Sequence, residues 1–401
     1  MIVEGRLTTV VVPSNAMEAA HDPEKADCLT GAVVDYVNQI QSAGVYKGSE
    51  LSAVAMQAYH ADYYLSQVYN GGHSQFIGNT GIAMLPTTSG DALAGLKAMG
   101  ASTQHQILQE MIAWVEEHPE EAALQNGFES RAAALDALDS RFYEAEKQQP
   151  MTRLAARWIA SWPELHVVAK DQYASEIERL ARLHPHLPQR RIWLSVHKIS
   201  FQMTDPLQIT VAAACGAVVP DPEIKLAVRP GSQMNVEGEE CLAFVVLTDK
   251  GSRVCVFEKT GGRLYEFGAS RPLPGLAQMT PETLKNFLPP PVGRRLSTVG
   301  ADTIRSFTRI AEQNLAAEAI DLLLRKSDLD PAGMITAVRV GDGSATWYVV
   351  TREARIVVAT HSDRADVVGS DGKAALTVTR AEIERHAAEA AAGRDSIRGT
   401  P

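Results

Sequence analysis

Across residues 51–69 the apolar positions Leu51, Val54, Ala55, Ala58, Leu65, Val68 and Tyr69 recur at i, i+3, i+4 spacing, which predicts an amphipathic helix. Asn70-Gly71-Gly72 should end it, because glycine takes the left-handed conformation of a helix C-cap without a Cβ penalty and Asn tolerates it next best. The same periodicity predicts helices near residues 91–99, 103–117, 129–147 and 153–161, separated by Gly100, His118-Pro119 and Asn126-Gly127. The span from about residue 26 to 170 therefore reads as all-α.

Past Pro188 the pattern changes to short β-branched runs divided by turn residues. Two sections resemble each other. Ala227-Val228-Arg229 precedes a hairpin over 242–248 and 253–257, then Met279-Thr280-Pro281; Ala337-Val338-Arg339 precedes a hairpin over 347–351 and 355–358, then Val378-Thr379-Arg380 with Glu382 behind it. Each reads as strand, hairpin, connector and a helix opened by a Thr cap. The expected fold class is thus α+β multidomain: an N-terminal arm over 1–25 with strand character, an all-α domain over 26–187, and an α+β unit over 188–295. A helix plus a second, duplicated α+β unit follows over 296–392, and a disordered tail over 393–401. A helical stretch over 301–326 would link the two α+β units, behind the stiff Pro289-Pro290-Pro291.

Charge changes this picture. The chain has 401 residues and a net charge of −10, but residues 1–150 carry 19 Asp plus Glu against 7 Lys plus Arg, a balance of −12. The remainder carries 29 against 31, so all of the acidity sits in the first part. Such a field repels nucleic acid and attracts basic proteins. No apolar run approaches the roughly 20 residues of a membrane helix, and the start has neither a basic n-region nor a long h-region. A cytoplasmic protein is expected. Cys28, Cys215, Cys241 and Cys255 lack paired short spacing and read as free thiols rather than a zinc or disulfide set.

Residues 69–79, Tyr-Asn-Gly-Gly-His-Ser-Gln-Phe-Ile-Gly-Asn, resemble the Asn-Gly-Gly-x-x-Gln-Phe-x-x-Asn signature of the bacterial DNA-mimic protein family, whose shared domain is otherwise of unknown function. The segment over 92–101 resembles the helix that follows it there, and Leu135-Asp136-Ala137-Leu138-Asp139-Ser140-Arg141-Phe142-Tyr143 resembles the family's later Leu-Asp-x-x-Phe-Tyr helix. The likeness covers about residues 28–170. His73 and Ile77 stand where the family has aromatic residues. The resemblance implies a module whose carboxylates stand in for phosphates.

On their own chemistry, the motif residues Asn70, Gly71, Gly72, His73, Gln75, Phe76 and Asn79 form a helix–helix corner: a tight reversal, two amides one turn apart to tie it, and a ring packed beneath. A competing reading makes the corner a ligand pocket or enzymatic site with His60, Asp62, Tyr63 and His73. Mimicry needs carboxylates on one face. Glu129, Asp136, Asp139 and Glu146 fall within roughly 100° of arc at ~100° per residue, and Glu116, Glu117, Glu120 and Glu121 cluster at a helix end. A solvated helix face accounts for the same residues without function. Catalytic motifs are absent: no Walker loop, no H-E-x-x-H, no G-x-S-x-G. His184-Pro185-His186 with His197 is the best metal candidate and reads better as a loop with two exposed histidines. Trp114, Trp158, Trp162, Trp193 and Trp347 read as core residues.

The sequence therefore points to a non-enzymatic, acidic interaction module with no catalytic residue, metal or cofactor. Its expected partner is a basic protein such as a transcription regulator, with no direct contact to nucleic acid or membrane and with a homodimer among the admissible assemblies. A third reading places the activity in the C-terminal region, as a secretion-associated or toxin-neutralising scaffold.

Overall fold

A computed structural model of the protein describes residues 2–3, 5–258, 261–268, 292–331, 333–341 and 343–398. The chain divides into two compact units, residues 1–187 and 188–401.

In the first unit the long helices are α2 (Asp27–Gly44), α3 (Ala53–Thr80), α4 (Leu85–Met99), α5 (Ser102–Glu117), α7 (Ala133–Gln148) and α8 (Met151–Ala160). The shorter α1 (Ser14–Ala19), α6 (Pro119–Ala122) and α9 (Tyr173–Ala181) complete it. The amphipathic stripes converge on one core containing Tyr36, Ile40, Tyr64, Phe76, Leu96, Ile107, Leu135, Phe142 and Ile159. Within α3 the expected break is present: Gly71 (φ −163°, ψ 23°) and Gly72 (φ 75°, ψ −176°) are non-helical and divide it into two helices. Tyr69, read as part of the apolar stripe, is instead 54% exposed, its ring stacked on Tyr143 at 6.0 Å.

Two expectations for this unit are corrected. Strand β3 (Val10–Pro13) runs parallel to β4 (Leu165–Val168), with β1 (Ile2–Val3) and β2 (Arg6–Leu7) forming a small hairpin before it. The unit is therefore not all-α, and residues 1–25 are no appended arm. Leu7, Val10, Val11 and Val12 are fully buried, and the Tyr36 hydroxyl donates to the Thr9 carbonyl at 2.6 Å. A continuous apolar run suits a strand covered on both faces. The helix expected from residue 129 begins at Ala133, so Glu129 lies before it.

In the second unit, helices α10 (Leu187–Thr204) and α11 (Pro206–Gly216) precede any strand, where strand runs were expected directly after Pro188. Asp205 caps α11, accepting from the Gln208 amide at 2.9 Å. Helix α11 is buried from Ile209 to Gly216, as a helix apolar on all sides must be. One antiparallel sheet has the order β10-β9-β8-β7-β5, with β6 also on β7; its strands are β5 (Lys225–Val228), β6 (Ser232–Val236), β7 (Glu239–Thr248), β8 (Gly251–Glu258), β9 (Gly261–Phe267) and β10 (Val292–Gly300). The other runs in sequence order through β11 (Met334–Gly341), β12 (Ser344–Val350), β13 (Arg355–Thr360), β14 (Arg364–Val368) and β15 (Ala374–Thr379). Both expected hairpins are present as β7–β8 and β12–β13.

The two α+β sections are not separate domains. A single core runs from Ile199 and Val211 through Val246 and Leu264 to Trp347 and Ile383, because α11 packs against strands of both sheets. The linking helical stretch is two helices, α12 (Ala301–Gln313) and α13 (Ala316–Lys326), divided at Leu315 (φ 49°). The expected tail from residue 393 is helical instead: α14 (Arg380–Arg398) opens on a Thr379–Glu382 capping box. Its buried Gly393 lies against the backbone of Gln189, and the guanidinium of the buried Arg190 holds Ser396. The helix expected after Met279 and the Pro289-Pro290-Pro291 connector lie outside the described residues.

Candidate interaction site

The corner is built around one carboxylate. Gly72 has a backbone conformation essentially reserved for glycine, and a Cβ there would overlap Asp139 Oδ2 and come within 2.7 Å of its Cγ. That close approach lets Asp139 Oδ1 accept from the His73 amide at 2.8 Å and pair with its Nδ1 at 2.5 Å. Asp139 Oδ2 takes Arg131 Nη2 at 2.9 Å. The other imidazole nitrogen, Nε2, lies 2.8 Å from the Tyr64 hydroxyl. His73 and Tyr64 are fully enclosed. Burial, reinforced by the nearby Asp139 and Glu146 carboxylates, pushes the Tyr64 phenol well above its ordinary range, so Tyr64 keeps its proton. A buried network of this kind is costly unless each member is satisfied; here it pins α3 to α7.

Gln75 and Asn79 both donate to Gln67 Oε1, at 3.0 and 2.7 Å, tying the second half of α3 back to the first. Phe76 is buried beneath, its ring 5.2 Å from Tyr64 and 5.9 Å from Tyr63. Asn70 is exposed on the outside of the bend. The same corner holds the segment 123–130 between α6 and α7. Ser74 Oγ accepts from the Gly127 amide at 3.0 Å and donates to the Ser130 carbonyl at 2.9 Å. Arg131 Nη1 donates to the carbonyls of Gly71 at 2.7 Å and Gly127 at 3.1 Å. Gly127 (φ 79°) lies so close to Gln75 that an added Cβ would sit 2.7 Å from that side chain.

The expected acidic face on α7 does not form. Asp139 and Glu146 are 4% and 5% exposed, Asp136 is held by Arg131 at 2.8 Å, and Glu129 lies off the helix. Glu146 points inward to accept from Gln104 at 2.7 Å and from the Met151 amide at 3.2 Å, where it serves the N-terminus of α8. Burial raises the Glu146 carboxyl despite these donors. The physical reason is that α7 packs the part of its arc carrying Asp139 and Glu146 against α3 and α5, where His73 and Gln104 supply partners. Glu116, Glu117, Glu120, Glu121 and Glu129 are exposed, and no ion pair among the described residues neutralises them.

The residues of the alternative pocket do not converge. His60 Nδ1 meets Asp91 at 2.8 Å on α4, sharing no partner with His73. Asp62 borders a separate cavity of about 10 Å³ with Thr30 and Thr152, where burial and the charge of Asp27 raise its carboxyl. Of the histidines at 184 and 186, His184 is buried and not exposed as expected. It lies 3.4 Å from Glu50, at the end of the short 3-10 turn Gly48–Glu50, and edge-on to Tyr46. No group of three metal-ligating side chains occurs among the described residues. The four cysteines are free, with Cys28 exposed. Of the tryptophans, Trp162 and Trp347 are buried, whereas Trp114, Trp158 and Trp193 are only partly covered. Arg131, Tyr64 and Gln67, which hold the corner, went unremarked in the sequence; Arg131 is visible there only as the first base after a long stretch with Lys97 alone.

Residues 49–162 match the family model described as DMP19-like protein, a DNA-mimic family, in agreement with the resemblance carried by the corner sequence. The matched segment contains the whole corner, the loop 123–130 and the acidic end of α5. No curated protein and no solved structure matches the chain. No helix among the described residues is long and apolar enough to cross a membrane.

Proposed function

We propose that the N-terminal unit is an acidic interaction module that occupies the basic, DNA-binding surface of a partner protein. The observation that carries this reading is the set of unneutralised carboxylates within the family-matched segment. Residues 51–130 hold eight Asp and Glu (62, 91, 110, 116, 117, 120, 121, 129) against one base, Lys97. Five of the eight are the exposed, unpaired Glu116, Glu117, Glu120, Glu121 and Glu129. Such a concentration sets up a negative potential that steers cationic surfaces and repels phosphate. Of the carboxylates expected on α7, only Glu129, which lies before the helix, belongs to this set; Asp136 is paired with Arg131, and Asp139 and Glu146 fix the scaffold.

The partner on this reading is a DNA-binding protein such as a transcription regulator, captured by electrostatic competition rather than by catalysis. The test is a competition experiment: full-length chain, a DNA-binding protein recovered with it from its native cells, and that protein's duplex. The module should displace the duplex, and added salt should weaken the complex steeply. A complex that leaves DNA binding intact and ignores salt would sink the reading.

A further inference from the structure

The most exposed large apolar side chains of the first unit sit beside the acidic cluster. Phe128 is 81% exposed and Leu124 68% exposed, both on the segment 123–130. Met84 at 57% and Ile82 at 44% follow directly on the second half of α3, whose Gly78 lies against the Gln125 carbonyl and 3.0 Å, measured from an added Cβ, from Asn126 Cα. Single exposed apolar residues are ordinary, but two such side chains on one short segment flanked by Glu120, Glu121 and Glu129 fit an interaction surface.

We propose that the segment 123–130 is a docking surface for a cationic, amphipathic segment of the partner protein, with Phe128 and Leu124 as apolar anchors and Glu116, Glu117, Glu120 and Glu121 as the electrostatic frame. This rests on the module binding a basic partner, and adds to it a non-electrostatic contact that a pure charge mimic lacks.

Three observations support it. The loop is held in shape rather than left to fluctuate. Ser74 bridges Gly127 and Ser130, Asn126 Oδ1 accepts from the amides of Phe128 at 2.9 Å and Ser130 at 3.1 Å, and Gln125 reaches the Glu121 carbonyl and the Ala132 amide. A preorganised loop loses little freedom on binding, so its anchors contribute most of their burial to affinity. The residue types fit, since an aromatic ring at the centre of a patch is the usual carrier of binding energy. Charge complementarity selects the occupant. A second copy of this chain in an isologous contact would bring the same glutamates face to face, and a nucleic acid or an anionic lipid surface meets the same repulsion. A cationic segment with apolar residues on one face satisfies both halves of the surface.

The experiment uses the full chain and two synthetic helical peptides of equal positive charge, one carrying Leu at i, i+3, i+4 and i+7 among its lysines and one with Ser at those positions. Fluorescence anisotropy should give the Leu peptide an affinity about tenfold or more higher, the ratio expected for burying one or two apolar side chains. Substituting Leu124→Ser together with Phe128→Ser should remove that ratio and leave the unfolding midpoint unchanged, because both side chains are solvent-facing. Replacing the four glutamates by Gln should weaken both peptides together. Equal affinity for the two peptides, or a ratio that survives the double Ser variant, overturns the docking surface while leaving the charge reading intact. Loss of the ratio with no effect of the Gln substitutions instead defeats the electrostatic reading on which the proposal rests. Self-association that disappears in the double Ser variant would assign the patch to a second copy of the chain and overturn the proposal.

Discussion

Replacing Gly72 by Ala tests how the corner is held. The substitution puts a Cβ on a residue at φ 75°, ψ −176°, a conformation that costs a non-glycine residue about 1–3 kcal/mol. The same Cβ overlaps Asp139 Oδ2 and approaches Arg131 Nη2 to 2.9 Å. Asp139 must then withdraw from its bonds to the His73 amide, the His73 ring and Arg131, and leaving buried groups unpaired costs a further ~1–3 kcal/mol. The sum, about 2–6 kcal/mol, is a large share of the ~5–15 kcal/mol that stabilises a typical domain. With slopes of about 1–3 kcal/mol per molar urea, the midpoint of the first unit should fall by roughly 0.7 M or more. Peptide-resolved hydrogen exchange during the titration assigns the transition to residues 1–187, as the two units need not unfold together. Gly90→Ala is the control. It lies in α4 with nothing within 4 Å of an added Cβ, and should stabilise by about 0.5–1 kcal/mol. A Gly72→Ala protein within about 0.5 kcal/mol of wild type would refute the strained, carboxylate-centred corner.

Three further substitutions probe the scaffold. Ser74→Ala should leave the Gly127 amide unpaired and the Ser130 carbonyl with only its Asn126 donor, destabilise by about 1–3 kcal/mol, and speed amide exchange at Gly127 beyond that of the core; unchanged exchange would show that the loop is not held there. Asp62→Asn should stabilise at neutral pH, because the folded carboxyl titrates above its ordinary value. Between the unfolded and the raised folded pKa the native state binds the extra proton, so wild-type stability falls as pH rises through that window. The advantage of Asn in urea titrations should therefore shrink as pH drops toward 4, and an advantage that grows there would contradict it. Lys225 is 2% exposed, donates to Gln208 at 2.9 Å, and is lowered by burial to about 8. Here the unfolded state binds the extra proton between pH 8 and 10.5, so the Lys225 contribution rises with pH. Lys225→Met should be more stable than wild type below pH 8, by up to about 3 kcal/mol, with the difference narrowing by pH 10; a pH-independent difference would exclude a strained buried cation.

Periodicity made the helical unit legible, and the two glycines located its corner, because both are local properties of the chain. What local pattern could not supply was direction. The arc formed by Asp136, Asp139 and Glu146 is the same whether it faces water or a neighbour, and only packing against α3 and α5 decides that two of its members turn inward. Long-range partners were hidden for the same reason. The Val10-Val11-Val12 run is plain in the sequence, but the strand beside it lies more than 150 residues away, at Leu165–Val168. The residues from Gly393 on read as a tail because glycine breaks helical propensity, whereas that glycine is where the backbone of Gln189 comes close. His73 kept a ligand site open in the sequence, and the structure spends both of its ring nitrogens on Tyr64 and Asp139.

The most direct test of the account is the salt dependence of the complex between the full chain and its DNA-binding partner, measured with the partner's duplex as competitor. Unpaired carboxylates at Glu116, Glu117, Glu120, Glu121 and Glu129 predict affinity falling by about tenfold or more between roughly 50 and 200 mM salt, and displacement of the partner from DNA in proportion to occupancy. An affinity flat across that range, with the partner able to hold the module and the duplex at once, would contradict it.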